Sequence, residues 1–307
     1  MNSVNYIAID ISKDSLQVKS ISETTCLPYS EPGLARLRDI ALKYHAPLVV
    51  CEATGGYERT LLDFLHERSI AVALVNPARV RAFARSEGIN AKTDPIDAEI
   101  LLNYAQEKKP LGTPPPAPGR AQLTAWLDRR SQLTEQLARE KNRMAKCVSE
   151  LRDDIRAMVD YIETRLKAIE DHIRKLLQNH PEMSQQAQCM QAIKGIGETT
   201  AWTILGYLGE VGSIGRNQLV ALAGLAPFNR DSGLRQGKRS IYAGRAKVRK
   251  CLYMAATCAA VHNPVIKKYV EGLRKRGKPY KCAIVAAMRK LLIHIQSVIK
   301  TQQLTLA

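Results

Sequence analysis

No uninterrupted apolar run in this chain approaches the ~20 residues that cross a bilayer, and the N-terminus lacks the basic-then-apolar pattern of a secretory leader. A membrane protein is not expected. Cysteine pairs are missing as well. The seven cysteines (Cys26, Cys51, Cys147, Cys189, Cys251, Cys258 and Cys282) are odd in number and form no CxxC pair, which speaks against a zinc ribbon or a disulfide framework. Reduced thiols in a cytoplasm are expected. Acidic residues are scarce in one part only. Residues 1–110 hold 13 Lys+Arg against 14 Asp+Glu, and the remainder holds 33 against 15. Within 230–290 the count is 17 against 2. That local excess is the electrostatic footprint of a polyanion-binding surface. With no lipidation signal beside it, nucleic acid is preferred to a membrane surface.

At 307 residues, 45% apolar and 24% charged, the chain has the composition of a soluble globular protein with room for two domains. Its first third carries four carboxylates in suggestive places. Asp10 ends the apolar run Val4 to Ile9, and Glu52 ends Leu48-Val49-Val50-Cys51. Such runs read as buried strands, whose carboxyl ends are where open α/β sheets place ligands. Asp94 and Asp97 open a helical pattern three residues apart, and so share one face. Together the four offer the oxygen ligands that Mg²⁺ prefers, with two ions possible for phosphodiester chemistry. Each acid also has a structural reading as a turn or cap residue, Asp94 before Pro95 above all.

The order of elements is legible. Strands are expected at 4–11, about 15–20 and 24–29, followed by a helix from Glu31-Pro32, a strand at 47–52, a helix through Leu61, Leu62 and Leu65, and a strand from Ile70 to Val75. Asn76-Pro77 opens another helix with Val80 and Phe83 on its apolar face. Three strands and then alternating helix and strand is the order expected of an α/β RNase H-like fold, a mixed sheet flanked by helices. The glycines of Gly55-Gly56 let backbone approach a ligand. The Pro-rich stretch 110–119 reads as a semi-rigid linker, giving a domain at 1–109 and a helical segment at 120–180. In that segment Leu151, Ile155, Met158, Ile162, Leu166, Ile169, Ile173 and Leu176 recur at steps of three and four, the seam of a coiled coil or of a long antiparallel pair. Self-association through it is favoured over packing within its own domain.

His180-Pro181 starts a mainly α-helical domain, 181–307. Ile193-Lys194-Gly195-Ile196-Gly197 reads as a helix-hairpin-helix turn that offers backbone N–H groups to phosphate, or as a plain tight turn. A loop from Asn229 to Ser240 is rich in glycine, arginine and hydroxyls. In it Arg230, Arg235, Lys238 and Arg239 surround Ser232, and Arg245, Lys247, Arg249 and Lys250 follow on a helix. Cations so placed would neutralise charge if Ser232 attacked a phosphodiester, although a serine beside glycine is also a common turn residue.

These residues together resemble the DEDD-type transposases of insertion-sequence family 110. The likeness is carried by Ala8 to Lys13, Cys51 to Tyr57, Asn76-Pro77 and Lys92 to Ala98, and then by Ile193 to Gly197, Ala223 to Pro227 and Asp231-Ser232-Gly233. It spans essentially the whole chain, with Lys194 where the family usually has proline. The resemblance implies a RuvC-like domain with Asp10, Glu52, Asp94 and Asp97 as a Mg²⁺-binding tetrad. It also implies a C-terminal transposase domain, joined through a coiled coil, with Ser232 as nucleophile and a covalent protein–DNA intermediate. The implied partners are DNA (element ends and target), a structured guide RNA encoded by the element, and further copies of the chain as a dimer or tetramer. The implied location is the bacterial cytoplasm, at the nucleoid. One rival is a RuvC-like junction-resolving endonuclease with water as nucleophile. A non-catalytic nucleic-acid-binding protein and an actin-like ATPase are others.

Overall fold

In a computed structural model the chain is described over residues 4–89, 94–228, 237 and 240–306, the side chains of 94, 95 and 303–306 aside. It divides into two compact units, 1–116 and 117–307. The first unit runs β1 (Asn5–Ile11), β2 (Ser15–Lys19), β3 (Thr24–Pro28), α1 (Glu31–Leu42), β4 (Pro47–Glu52), α2 (Glu58–Glu67), β5 (Ala71–Val75), α3 (Pro77–Ser86) and α4 (Asp94–Lys108). Among the described residues its strands form one mixed sheet in the order β3-β2-β1-β4-β5. The first three pair antiparallel as a meander, and β1, β4 and β5 run parallel.

Strand periodicity sorts the side chains between two faces. Ile7, Ile9, Ile11, Val49 and Cys51 pack under α1 and α2 with Leu34, Leu37, Leu61 and Leu65. Ala8, Val50, Ala73 and Val75 face α3 and α4 and meet Val80, Phe83, Leu101 and Ala105. The free edge of β5 is covered by the Pro-rich stretch. Thr113 N–H donates to the Val72 carbonyl (2.7 Å), and its hydroxyl accepts from Leu74 N–H (2.9 Å). The Thr113 carbonyl lies 3.0 Å from His66 Nε2. These bonds give the edge partners that an open strand would otherwise seek elsewhere.

The second unit is mainly helical: α5 (Arg120–Met144), α6 (Arg152–Gln178), α7 (Pro181–Gln191), α8 (Glu198–Tyr207), α9 (Arg216–Leu222), β6 (Pro227–Phe228), β7 (Ser240–Ile241), α10 (Ala246–His262), α11 (Pro264–Lys275) and α12 (Tyr280–Leu306). Helices α5 and α6 are an antiparallel pair within the chain, as the crossed ion pairs Arg130–Glu170 and Lys141–Glu163 require (2.7 Å each). The heptad seam divides along its length. Ile162, Ile169, Ile173 and Leu176 are buried, whereas Leu151 and Met158 are exposed, with Tyr161 beside them. The stretch Tyr280–Gln302 of α12 is long and apolar enough to cross a membrane. Here it is a core helix: Ile284, Ala287, Met288, Leu291, Leu292, Ile295 and Ile299 are buried in this unit.

Candidate functional site

The acid site is built by register. Parallel pairing sets Ile9 opposite Cys51, so the next residues, Asp10 and Glu52, stand on adjacent strands at the carboxyl edge of the sheet, ~5 Å between strands. Both share the parity of Ala8 and Val50 and therefore point to the face covered by α3 and α4. Helix α4 begins at Asp94 and carries Asp97 to the same place. Asp10, Glu52 and Asp97 line one cavity of about 630 Å³ together with Ser12, Thr54, Arg81 and Arg85. Three of the four predicted acids thus converge from three separate elements. The Asp94 side chain lies outside the described residues.

Among the described residues no three of His, Cys, Asp or Glu are clustered tightly enough to close on an ion as they stand. The donor set nevertheless suits a hard cation, since the three acids lining the cavity offer oxygen alone. Neighbouring groups hold the loop after β4 in place. The Glu58 carboxylate accepts from the backbone N–H groups of Thr54 and Gly56 (2.9 Å each). Gly55 and Gly56 have φ values of +64° and +111°, which only glycine adopts without strain. The N–H of Gly56 therefore serves an internal carboxylate, not an approaching ligand. Cys51, one residue before Glu52, is buried. Desolvation pushes its thiol up to about 12, with the charges of Glu58 and Glu52 adding to the effect. It is a packing residue and no nucleophile.

In the second unit Ser232, with Arg230, Arg235, Lys238 and Arg239, lies outside the described residues. The segment's two ends are described. Strands β6 and β7 pair Pro227 with Ile241 and Phe228 with Ser240, and Phe228 meets Tyr242 edge to face at 5.3 Å. The motif Ala223-Gly224-Leu225 supports this root. Gly224 has φ +69°, and a side chain there would run into the Ala243 carbonyl and the Arg249 guanidinium. Arg245 N–H donates to the Leu222 carbonyl at 2.8 Å.

The predicted basic residues separate into two groups. Arg245 makes a two-pronged pair with Glu210 (2.6 and 2.7 Å), which Arg120 also approaches (3.4 Å). Burial works against ionisation of Glu210. The hydrogen bonds and charge of Arg245, with the charge of Arg120, outweigh it and draw the carboxyl down to about 2. Lys247 pairs with Asp128, which also accepts from the Tyr207 hydroxyl. Arg249 donates to the Ala243 carbonyl. Lys250 is exposed and has no ion pair among the described residues. The same holds for Lys267, Lys268, Lys275 and Lys281, a set that sequence reading did not single out as site residues. Gly197 is open, with nothing within 4 Å of where a side chain would begin, whereas Gly195 (φ +103°) is packed against α10, 2.6 Å from Ala259 Cβ at that point. Sequence reading also missed Arg81 and Arg85; their i, i+4 spacing on a helix beside the acids was the available signal.

Two family models match the chain. One, for the DEDD transposases of IS110 and described as a transposase, covers residues 7–153. The other, described as Transposase IS116/IS110/IS902 family, covers residues 187–271. This chain belongs to the IS110 family of transposases. The two matches fall in order along the chain, one on the acid-bearing half and one on the basic half. Among curated relatives of this transposase are the pilin gene-inverting proteins of Moraxella lacunata and Moraxella bovis. Each is 28% identical over 310 residues, spanning 97% of this chain and 96% of the relative. The transposase is accordingly an enzyme acting on DNA, with a mixed-sheet first unit and a mostly helical second one.

Proposed function

We propose that this transposase is a site-specific DNA recombinase whose strand-cutting centre is formed by Asp10, Glu52, Asp94 and Asp97 of an RNase H-like (RuvC-like) unit, working with Ser232. The observation that carries this reading is the convergence of Asp10, Glu52 and Asp97 on one cavity at the carboxyl edge of the sheet. Mg²⁺, as one ion or two, would be held by these acids and would supply charge neutralisation and Lewis acidity at the phosphate. Strand register sets Asp10 and Glu52 on neighbouring strands, and the first turns of α4 bring Asp97 to the same cavity, so the backbone gathers the three acids before substrate arrives. The Ser232 hydroxyl attacks the phosphorus, forming a P–Oγ bond as one P–O ester bond breaks. The serine proton is lost and the departing sugar oxygen gains one. Rejoining reverses the step with a different sugar hydroxyl and frees the serine. Arg230, Arg235, Lys238 and Arg239, within a few residues of Ser232, would stabilise the added charge.

The exposed lysines of the second unit, which have no ion pair among the described residues, and Gly197 at the open start of α8 support binding of DNA and of an element-encoded guide RNA that selects the sites. The relatives named for inverting a pilin gene support recombination between two defined DNA sites. The exposed apolar residues at the tip of the α5–α6 pair, Val148, Leu151, Met158 and Tyr161, support pairing with further copies of the chain, as a dimer or tetramer. We place the enzyme in the cytoplasm, on the nucleoid. The test is a denaturing gel for covalent protein–DNA adducts, using protein co-expressed with its flanking non-coding sequence and a joined-ends DNA. An adduct lost in both Ser232→Ala and Asp10→Ala is expected. Cleavage without an adduct, indifferent to Ser232→Ala, would overturn the serine mechanism and favour water as nucleophile.

A further inference from the structure

We propose that Arg81 and Arg85 are the phosphate-binding arm of the acid cavity, holding the DNA backbone against Asp10, Glu52 and Asp97. This assignment rests on the reading of that cavity as the strand-cutting centre. Helix α3 is built to present the two side chains. Asn76 caps it through a bond from Ala78 N–H (2.8 Å), Pro77 starts it, and Val80, Phe83 and Ala84 bury one face against the sheet and α4. Arg81 and Arg85 stand one turn apart on the rim of that face, and both line the cavity beside the three acids. The sequence of α3, Pro-Ala-Arg-Val-Arg-Ala-Phe-Ala-Arg-Ser, contains three arginines and no acid.

The charge arrangement identifies what these arginines are for. If they served to neutralise the acids they would be paired with them, because all five side chains line one space. Instead both are exposed, and among the described residues neither has an ion pair. Cations left unpaired beside carboxylates weaken binding of a metal ion, which is a cost unless a second anion needs them. A phosphodiester is that anion: it must sit against the same acids, it carries one negative charge, and its two free oxygens match a guanidinium fork. Two forks ~6 Å apart along the helix suit one phosphate or two neighbouring ones. The carboxylates would then hold the cation, and the arginines the strand.

Arginine footprinting on the full-length protein tests this without relying on turnover. Phenylglyoxal modification read by peptide mass spectrometry would be run with and without a saturating 20-nucleotide single strand, about twice one nucleotide-binding module's site. The same sequence with uncharged methylphosphonate linkages is the control, and Arg36, exposed on α1 at the opposite face of the sheet, is the reference residue. Arg81 and Arg85 are expected to react readily in the free protein and to be protected about fivefold by the charged strand, a binding site mostly occupied, and not by the neutral one. Equal reactivity with and without DNA, equal protection by both strands, or equal protection of Arg36 would each overturn the assignment. The paired variant Arg81→Ala/Arg85→Ala should cut DNA on the order of 100-fold more slowly, the loss typical of a transition-state donor. Its overall DNA affinity should stay within about threefold, since the basic second unit carries most phosphate contacts. It should bind Mn²⁺ at least as tightly as the parent, and Arg81→Lys/Arg85→Lys should recover part of the rate. A merely structural role would lower metal binding along with cutting. Full cutting by Asp10→Asn would instead sink the acid centre itself, an outcome that the footprint does not share.

Discussion

Replacing Glu210 with Gln removes the charge shared by Arg120 and Arg245 and keeps the side chain's shape, with one oxygen left to accept and an NH2 donor in place of the other. Arg120 and Glu210 have side-chain exposures of 23% and 35%, and Arg245 has 37%. A carboxyl held at about 2 against an ordinary 4.5 corresponds to roughly 3 kcal/mol of preference for the charged form in the folded state. Glu210 is a third exposed, so solvent screening leaves about half, ~1.5 kcal/mol. Mutual repulsion of the two arginines adds to the loss. It acts in the same direction on Arg120, whose pKa burial already lowers and the nearby Arg245 lowers further. A total near ~2 kcal/mol should lower the melting temperature of a unit this size by about 4–8 °C at pH 7. The sign of the pH dependence follows from the depressed value. The contribution is fully present above 4.5 and is lost as pH falls towards 2, so parent and Glu210→Gln should converge on acidification. Differential scanning calorimetry of both proteins from pH 7 to pH 3 measures this. A difference below about 1 °C at pH 7, or one that does not shrink with acid, would refute the assignment of this triad as a stabilising anchor for the start of α10.

Gly195→Ala puts a Cβ 2.6 Å from that of Ala259 at a φ of +103°, so a loss of about 2–4 kcal/mol is expected in thermal melts followed by circular dichroism. An unchanged melt would mean that the turn before α8 is loosely held. Thr113→Val keeps the strap's backbone bond but removes the hydroxyl that accepts from Leu74 N–H. Hydrogen exchange of the Leu74 amide should quicken about fivefold, an opening free energy lower by ~1 kcal/mol. With its thiol raised to about 12, Cys51 should resist iodoacetamide at pH 8 while the exposed Cys26, Cys258 and Cys282 are alkylated; rapid labelling of native Cys51 would contradict the packing around it.

The sheet and the acids were legible because both rest on local signals. Short apolar runs ending in Asp10 and Glu52 give strand and edge together, and a period of two decides which face each acid takes. Pairing partners are a different matter. Glu210 lies 35 positions from Arg245 and 90 from Arg120, and Asp128 lies 119 from Lys247, so nothing in their neighbourhoods marks them as neighbours. For that reason Arg245 and Lys247 read as free phosphate contacts in sequence, while the fold engages both with acids. Gly195 shows the same limit: a glycine before a helix suggests room for phosphate, and only the packing of Ala259 gives the other reason for it. The heptad seam of α6 announced a long helical partner, but the periodicity of Ile162, Ile169 and Ile173 is identical whether that partner is α5 or another chain.

The most direct test of the acid centre is iron-mediated affinity cleavage of the full-length protein. Fe²⁺ substituted at the site, with ascorbate and peroxide, cuts the backbone wherever the chain lies close to the ion. Cuts are expected to cluster near residues 10, 52 and 97, to be suppressed by excess Mg²⁺ and to be abolished by Asp10→Asn. Cuts confined to one of these segments, or a pattern indifferent to Asp10→Asn, would contradict the claim that the three acids form a single metal-binding centre.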